Sequence, residues 1–304
     1  MLSTTRSAHD RRRDLRDALA SGQLVQMPGA FTPLSARLIE RAGFPGVYVS
    51  GAVMSAELGL PDIGLTTLTE VATRAGQIAR TTDLPVLVDA DTGFGEPLNV
   101  ARTIQALEDA GVAGLHLEDQ VNPKRCGHLD GKLVVDVTSA ARRIASAVRA
   151  RRDPDLLVVA RSDALAVEDF DRMLDRLRAY VDAGADAVFP EAVTSLADYE
   201  RVRQALDVPV LANMTEFGKS ELFSARDLAS AGVSIVIYPV SLMRLSMGII
   251  ERALTTLHHE GSLVSLVPEM QTRARLYEVL DYASYGDYDE GIFTFRLPGD
   301  EPAE

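Results

Sequence analysis

Short apolar, β-branched runs alternate along the chain with longer segments that carry the helical period. Leu24 to Met27, Gly46 to Ser50, Pro85 to Asp89, Gly114 to Glu118, Leu156 to Arg161, Ala187 to Pro190, Val208 to Asn213 and Ser234 to Pro239 read as strands. Between Glu168 and Val181, the residues Phe170, Met173, Leu174, Leu177 and Val181 share one helical face. Ala-Gly pairs at Ala42-Gly43, Ala110-Gly111, Ala183-Gly184 and Ala231-Gly232 each precede a strand. A glycine there can take the left-handed conformation that ends a helix. Pro97 suits the first turn of a helix. Eight such units in about 240 residues predict an α/β fold, a (β/α)8 TIM barrel, with a doubly wound open sheet as the alternative. No Gly/Ser-rich linker divides the chain, so residues 1–304 are expected to form a single domain, with the barrel over about 24–260. After Glu260-Gly261, the positions Met270, Ala274, Tyr277 and Leu280 or Asp281 suggest one more amphipathic helix, in an extension over about 265–290. That helix is expected outside the barrel or against another subunit, and Pro298 to Glu304 are expected to fray.

Composition narrows the function. Of the 304 residues, Lys plus Arg number 31 and Asp plus Glu 44, a net charge of −13. Such a chain has no basic surplus to neutralise nucleic-acid phosphates. One cysteine excludes an internal disulfide framework and, with five histidines, argues against structural zinc. The N-terminal stretch mixes Arg11, Arg12 and Arg13 with Asp10, Asp14 and Asp17. It reads as a solvated first helix, not a targeting peptide, and no apolar run is long enough to span a membrane. A cytoplasmic location is expected, with no nucleic-acid or membrane partner.

In a barrel of this kind the C-terminal strand ends form the active-site mouth. Here those ends carry Tyr48-Val49-Ser50-Gly51, Asp89-Ala90-Asp91, Glu118-Asp119, Arg161-Ser162-Asp163, Pro190-Glu191 and Asn213-Met214-Thr215, with Arg244 after the eighth strand. Asp89, Asp91 and Glu118 would repel one another unless a cation neutralised them, and hard oxygen ligands favour Mg2+ or Mn2+. Asp62 is a weaker fourth candidate. The alternative is that these carboxylates cap the helices that follow. Arg161 and Arg244 beside an acidic site suggest a ligand bearing carboxylates or phosphates, or else structural ion pairs with Glu118 or Glu191.

The polar segment from Asn122 to Lys132 is a candidate lid. In it Lys124, Arg125 and His128 surround Cys126, and cations favour the reactive thiolate. The segment Gly93 to Leu98 fails the dinucleotide fingerprint, Tyr48 to Ala52 fails the nucleophile elbow, and no phosphate loop occurs. His116 reads as a satisfied core histidine and His258-His259 as a solvated helix end.

Lys124-Arg125-Cys126-Gly127-His128 resembles the signature loop of isocitrate lyases and 2-methylisocitrate lyases. Asp89 to Gly95 resembles the metal-binding strand end of the wider phosphoenolpyruvate mutase and isocitrate lyase superfamily. The similarity runs from about Gln26 to Tyr285 and includes Leu117-Glu118-Asp119-Gln120, Ala160 to Ala164, Phe189 to Ala192, Leu211 to Gly218 and Met270 to Arg273. The chain has no room for the insertion of the longer isocitrate lyases. Phe189 and Pro239 match the substrate pocket of the methylisocitrate lyases, while Ala52 and Ile237 depart from it.

The resemblance implies a metal-dependent carbon–carbon lyase that cleaves 2-methylisocitrate to pyruvate and succinate in the methylcitrate cycle of propionate breakdown. Sister activities on isocitrate or 2,3-dimethylmalate, or oxaloacetate decarboxylation, are the alternatives. A binding protein that kept the barrel and lost turnover is a further one. The resemblance implies that Mg2+, or Mn2+, is held by Asp89, with Asp91, Asp62 and Glu118 acting partly through water, and no organic cofactor. Cys126 would be the general acid and Tyr48 a candidate for assisting proton loss, with Lys124, His128, Arg161 and Glu118 in the catalytic set. Ser50, Gly51, Ala52, Gly127, Glu191, Asn213, Met214, Thr215, Arg244 and Arg273 would complete the contacts to a di- or tricarboxylate substrate. The resemblance further implies a homotetramer that exchanges a C-terminal helix.

Overall fold

The computed structural model describes residues 4–125, 127, 131–218 and 220–297. Eight strands are present: β1 (Val25–Pro28), β2 (Val47–Val49), β3 (Val86–Asp89), β4 (Gly114–Glu118), β5 (Leu157–Ser162), β6 (Ala187–Pro190), β7 (Leu211–Asn213) and β8 (Ile235–Tyr238). All pair in parallel, β2 to β6 in chain order in one sheet and β1-β8-β7 in another. Single parallel bridges join the two sheets, Gly29 to Tyr48 at one seam and Val188 to Val210 at the other. The strands therefore run round in one ring, as the alternation of short apolar runs and amphipathic helices requires. The start of β7 lies later than the apolar pattern predicts, because Pro209 has no N–H for the ladder.

The helices are α1 (Ala8–Ala20), α2 (Pro33–Arg41), α3 (Gly51–Glu57), α4 (Leu68–Ala79), α5 (Pro97–Asp109), α6 (Val137–Ala150), α7 (Phe170–Asp182), α8 (Leu196–Ala205), α9 (Ala225–Ser230), α10 (Ser241–Glu260), α11 (Arg273–Leu280) and α12 (Tyr282–Phe293). Gly43, Gly111, Gly184 and Gly232 all have positive φ just after a helix, the stop signal expected of the Ala-Gly pairs.

Two apolar layers follow from strand parity. Val49, Val88, Leu115, Leu117, Val158 and Val188 face the helices. Met27, Tyr48, Leu87, Val159, Phe189, Leu211 and Ile237 fill the barrel lumen, together with Leu15 from α1. The solvated first helix expected of the Arg cluster is corrected here. Arg11 and Arg12 are buried and donate to carbonyls at the barrel floor: Arg11 to Ala79, Thr82 and Gly111, and Arg12 to Glu108 and Val112. A guanidinium can reach several carbonyls at once, so α1 seals the N-terminal end of the lumen.

The tail also differs from expectation. Two helices replace the single one, because Asp281 takes the left-handed conformation (φ 56°, ψ 43°) and breaks the run. α11 is tied to α2 through Arg37 to the Val279 carbonyl and Arg41 to Glu278. α10 buries no residue, and His258 and His259 lie exposed in its last turn. The expected fraying of Pro298 to Glu304 lies outside the described residues. Among those described, no helix is long and apolar enough to cross a membrane.

Candidate active site

The site is assembled by register. Asp89 pairs with His116, Glu118 with Arg161, and Arg161 with Phe189 across neighbouring strands. Period-2 alternation turns His116 and Glu118 into the lumen mouth, while Asp119 turns outward. There Asp119 accepts from Ser162 Oγ (2.7 Å), Tyr180 Oη (2.9 Å) and the Asp163 N–H (2.9 Å).

The carboxylates gather around a lysine. Lys124 Nζ lies 2.5 Å from Asp62 and 2.8 Å from Asp91. The Asp91 N–H donates to Asp89 Oδ1 (3.0 Å), and Thr66 donates to Asp91 Oδ2 (3.3 Å). Gly51 N–H donates to Asp89 Oδ2 (3.2 Å), and a Cβ at Gly51 would lie 2.8 Å from that same oxygen. Only glycine lets the turn after β2 approach so closely.

Convergence of the carboxylates on one another is looser than expected. Among the described residues, the one trio whose ligand atoms lie within 4.8 Å of one another is His9, Asp153 and Asp155. It lies by α1, and Asp153 there is already bonded to Arg12 (2.8 Å). At the mouth Lys124 bridges Asp62 and Asp91, and Asp89, Asp91 and Glu118 do not come within that mutual distance.

The charge balance fits a hard divalent cation. Both Glu118 oxygens are buried without a hydrogen-bond partner, and the nearest cation, Arg161 Nε, is 3.4 Å away. Burial pushes the Glu118 carboxyl well above the carboxylate range, against the pull of Arg161. Burial likewise lifts Asp91 to about 6, with Lys124 opposing. Burial also works against ionised Asp89, but His116, Lys124 and Arg161 hold it below its ordinary value. Burial would discharge Lys124, yet Asp91, Glu118, Asp89 and Asp62 raise its pKa further. Asp89, held ionised, and Glu118, whose oxygens lack a hydrogen-bond donor, are hard oxygen groups of the kind that a divalent cation could take as ligands.

Arg161 lies under the mouth, 5.0 Å above the Phe189 ring. Its Nε and Nη2 both donate to Asp163 (2.9 and 3.0 Å), and Glu191 is 3.7 Å from Nε. The ion pairs foreseen with Glu118 and Glu191 are thus present, but Asp163 is the closer partner. Asn213 Nδ2 reaches Glu191 at 3.4 Å. Gly127 sits on this pair: a Cβ there would be 2.5 Å from Arg161 Nη2 and 2.7 Å from Glu191 Cδ.

Tyr48 Oη is 2.7 Å from His116 Nε2. Burial and the Asp89 charge push the phenol well up, and burial takes His116 down to about 4. His116 is therefore not the satisfied core residue expected. Its Nδ1 lacks a hydrogen bond and faces Asp89 at 3.7 Å. Its shared parity with Glu118 was the signal in the sequence.

Ser50 and Ala52 flank Gly51 where α3 begins, and Met214 and Pro239 are buried beside the strand ends. Arg244 forms a group of its own with Thr215 Oγ1 (3.5 Å) and the Glu216 carbonyl. Arg273 is exposed on α11 and bonds to none of these groups. Its expected place at the mouth is not seen within one chain, because α11 is tied to the outer face of α2. Cys126 and His128 lie outside the described residues. Asp163, read only as part of a strand end, and Lys132, read only as the end of the candidate lid, were given no site role by the sequence, and both are buried here.

A family model described as phosphoenolpyruvate phosphomutase matches residues 15–258. The chain belongs to this family. Within it, the chain is 57% identical over 302 residues to "Probable 2-methylisocitrate lyase 2" of Corynebacterium glutamicum, covering 99% of this chain and 98% of that one. Among solved structures, oxaloacetate acetylhydrolase with 3,3-difluorooxalacetate superposes with a TM-score of 0.88 at 33% identity, covering 96% and 99%. A family structure of 2,3-dimethylmalate lyase gives 0.86 at 36%, covering 98% and 100%. These relatives share the barrel fold, and the open-sheet alternative falls away.

Proposed function

We propose that the chain is a metal-dependent carbon–carbon lyase that cleaves 2-methylisocitrate to pyruvate and succinate. The observation that carries the reading is Gly127 of the signature loop, seated directly on Arg161 and Glu191 at the mouth. The likeness to the Corynebacterium glutamicum protein, named as such a lyase, supports the substrate.

Asp89 would hold Mg2+ or Mn2+, with Asp91, Asp62 and Glu118 acting partly through water, and Lys124 fixes Asp62 and Asp91. The ion, when bound, supplies Lewis acidity to the substrate's 2-hydroxyl and carboxylate. The protein does the rest. Arg161 Nη1 donates to none of the described residues, so it is free to meet a substrate carboxylate. Asn213, Thr215, Glu191 and Gly127 frame the succinate half, and Ser50, Gly51 and Ala52 present the turn after β2. Tyr48, bonded to His116, assists removal of the hydroxyl proton. Cys126 and His128 act on the departing fragment, with Cys126 as the general acid. Phe189 and Pro239 shape the pocket, and Arg244 closes it at Thr215.

Pyruvate release from 2-methylisocitrate with added Mg2+, beside glyoxylate release from isocitrate, tests the reading. A strong preference for the methylated substrate is expected, and silence on both overturns it. A second reading, cleavage of 2,3-dimethylmalate, is favoured by the 0.86 superposition on that lyase, and the same assay with dimethylmalate decides it.

The chain would work as a cytoplasmic homotetramer built by helix exchange, with α10 as the exchanged helix in place of the extension over about 265–290 first expected to serve. α10 carries Leu245 (72% exposed) and Leu254 (60%) with nothing packed on them. Beside it an apolar cavity of about 850 Å3 opens between α2 and α10, lined by Phe31, Leu34, Leu38 and Phe44. A second copy of α10 is the complementary occupant.

A further inference from the structure

Lys132, at the end of the candidate lid segment, is buried and has no chemical role in the reading above. Its Nζ donates to the Gly127 carbonyl and, at 3.0 Å, to Asp163 Oδ1. Asp163 is in turn the carboxylate that takes Arg161 by two nitrogens. One buried anion is therefore shared by two buried cations.

The consequence is electrostatic. Were Asp163 paired with Arg161 alone, the two charges would cancel and the guanidinium would hold an incoming carboxylate weakly. With Lys132 on the other side, Asp163 fixes the plane of Arg161 while the ammonium takes up part of the Asp163 charge, which offsets the pull that Asp163, Glu118 and Glu191 together exert on the guanidinium. The same ammonium pins the peptide of Gly127 against Arg161 and Glu191, where a Cβ would not fit. We infer that Lys132 is a positioning residue: through Asp163 it keeps Arg161 both aligned and electrostatically available to the substrate carboxylate. The inference rests on the lyase reading only for the identity of that carboxylate.

The test is succinate binding by calorimetry, with Mg2+ present, on the wild type, Lys132→Gln and Lys132→Arg. Glutamine keeps hydrogen-bond donors and removes the charge; arginine keeps the charge. Lys132→Gln should weaken succinate by about tenfold or more, as expected for a charge-assisted contact. Lys132→Arg, which keeps the charge, should stay within about threefold of wild type; Mn2+ binding should be unchanged in both, while Lys132→Gln should lower the thermal midpoint because it leaves buried Asp163 one partner short. Wild-type affinity in a folded Lys132→Gln overturns the inference. Should that variant not fold, Lys132→Arg decides alone, and a tenfold loss there overturns it. In turnover, Lys132→Gln should raise KM more than it lowers kcat. Pyruvate release by the wild type is read separately: its absence, with succinate still bound and weakened by Lys132→Gln, sinks the substrate and upholds Lys132.

Discussion

Gly51 and Asp89 meet where the turn after β2 crosses the end of β3. An alanine at 51 would place its methyl 2.8 Å from Asp89 Oδ2 and 3.3 Å from Asp91 Oδ1. One of the carboxylates must then turn. Gly51→Ala should fold normally and lose roughly 10- to 100-fold in Mn2+ affinity, read by calorimetry, because ligand orientation is what such contacts control. Cys126→Ser should abolish cleavage and leave that affinity intact. Retained turnover would remove the thiol from the mechanism. Both substitutions separate holding the ion from using it.

α1 makes its own test at the level of the element. It is held to the barrel floor by Arg12 on Asp153 at 2.8 Å and by His9 on the same carboxylate at 3.1 Å. Burial works against the Asp153 charge, but hydrogen bonds from Arg12, the Asp155 N–H and His9 take the carboxyl down to about 2. A carboxyl lowered on folding stabilises the protein at any pH above its unfolded value, near 4. That contribution is lost as pH falls through the window from about 4 to about 2. Asp153→Asn should cost about 2 kcal/mol at pH 7, measured by urea unfolding, and should flatten the pH dependence of stability across that window. An unchanged acid limb would show that α1 is held by Leu15 and the carbonyl contacts of Arg11 and Arg12.

The whole molecule is a ring with helices added beyond it. α1 closes the floor, α11 lies against α2, and α10 and α12 bury no residue; α10 follows β8 and leaves Leu245 and Leu254 exposed. On the proposed helix exchange, a second chain would supply the helix that covers this side. Leu254→Asp should shift the sedimentation coefficient toward the monomer and lower the thermal midpoint. Pyruvate release should fall with it, since Arg273 meets no mouth residue of its own chain. A Leu254→Asp protein that stays fully assembled would place the contact elsewhere.

What the chain decides for itself is local. Apolar runs of period 2 mark strands, and the last residue of each run is bound for the mouth. Asp89, Glu118, Arg161 and Asn213 were therefore legible from position alone. A glycine after alanine marks the helix stop, because only glycine turns left-handed at no steric cost. Partner choice was not legible. Lys124 finds Asp62 across 62 residues, Lys132 finds Asp163 across 31, and Arg11 finds the Thr82 carbonyl across 71. Periodicity says which way a side chain points, but not which charge awaits it, since that depends on how neighbouring strands and loops come together. The same limit made the N-terminal arginines look solvated. Local sequence set the ring and the mouth; only the tertiary structure decided which buried charges face each other.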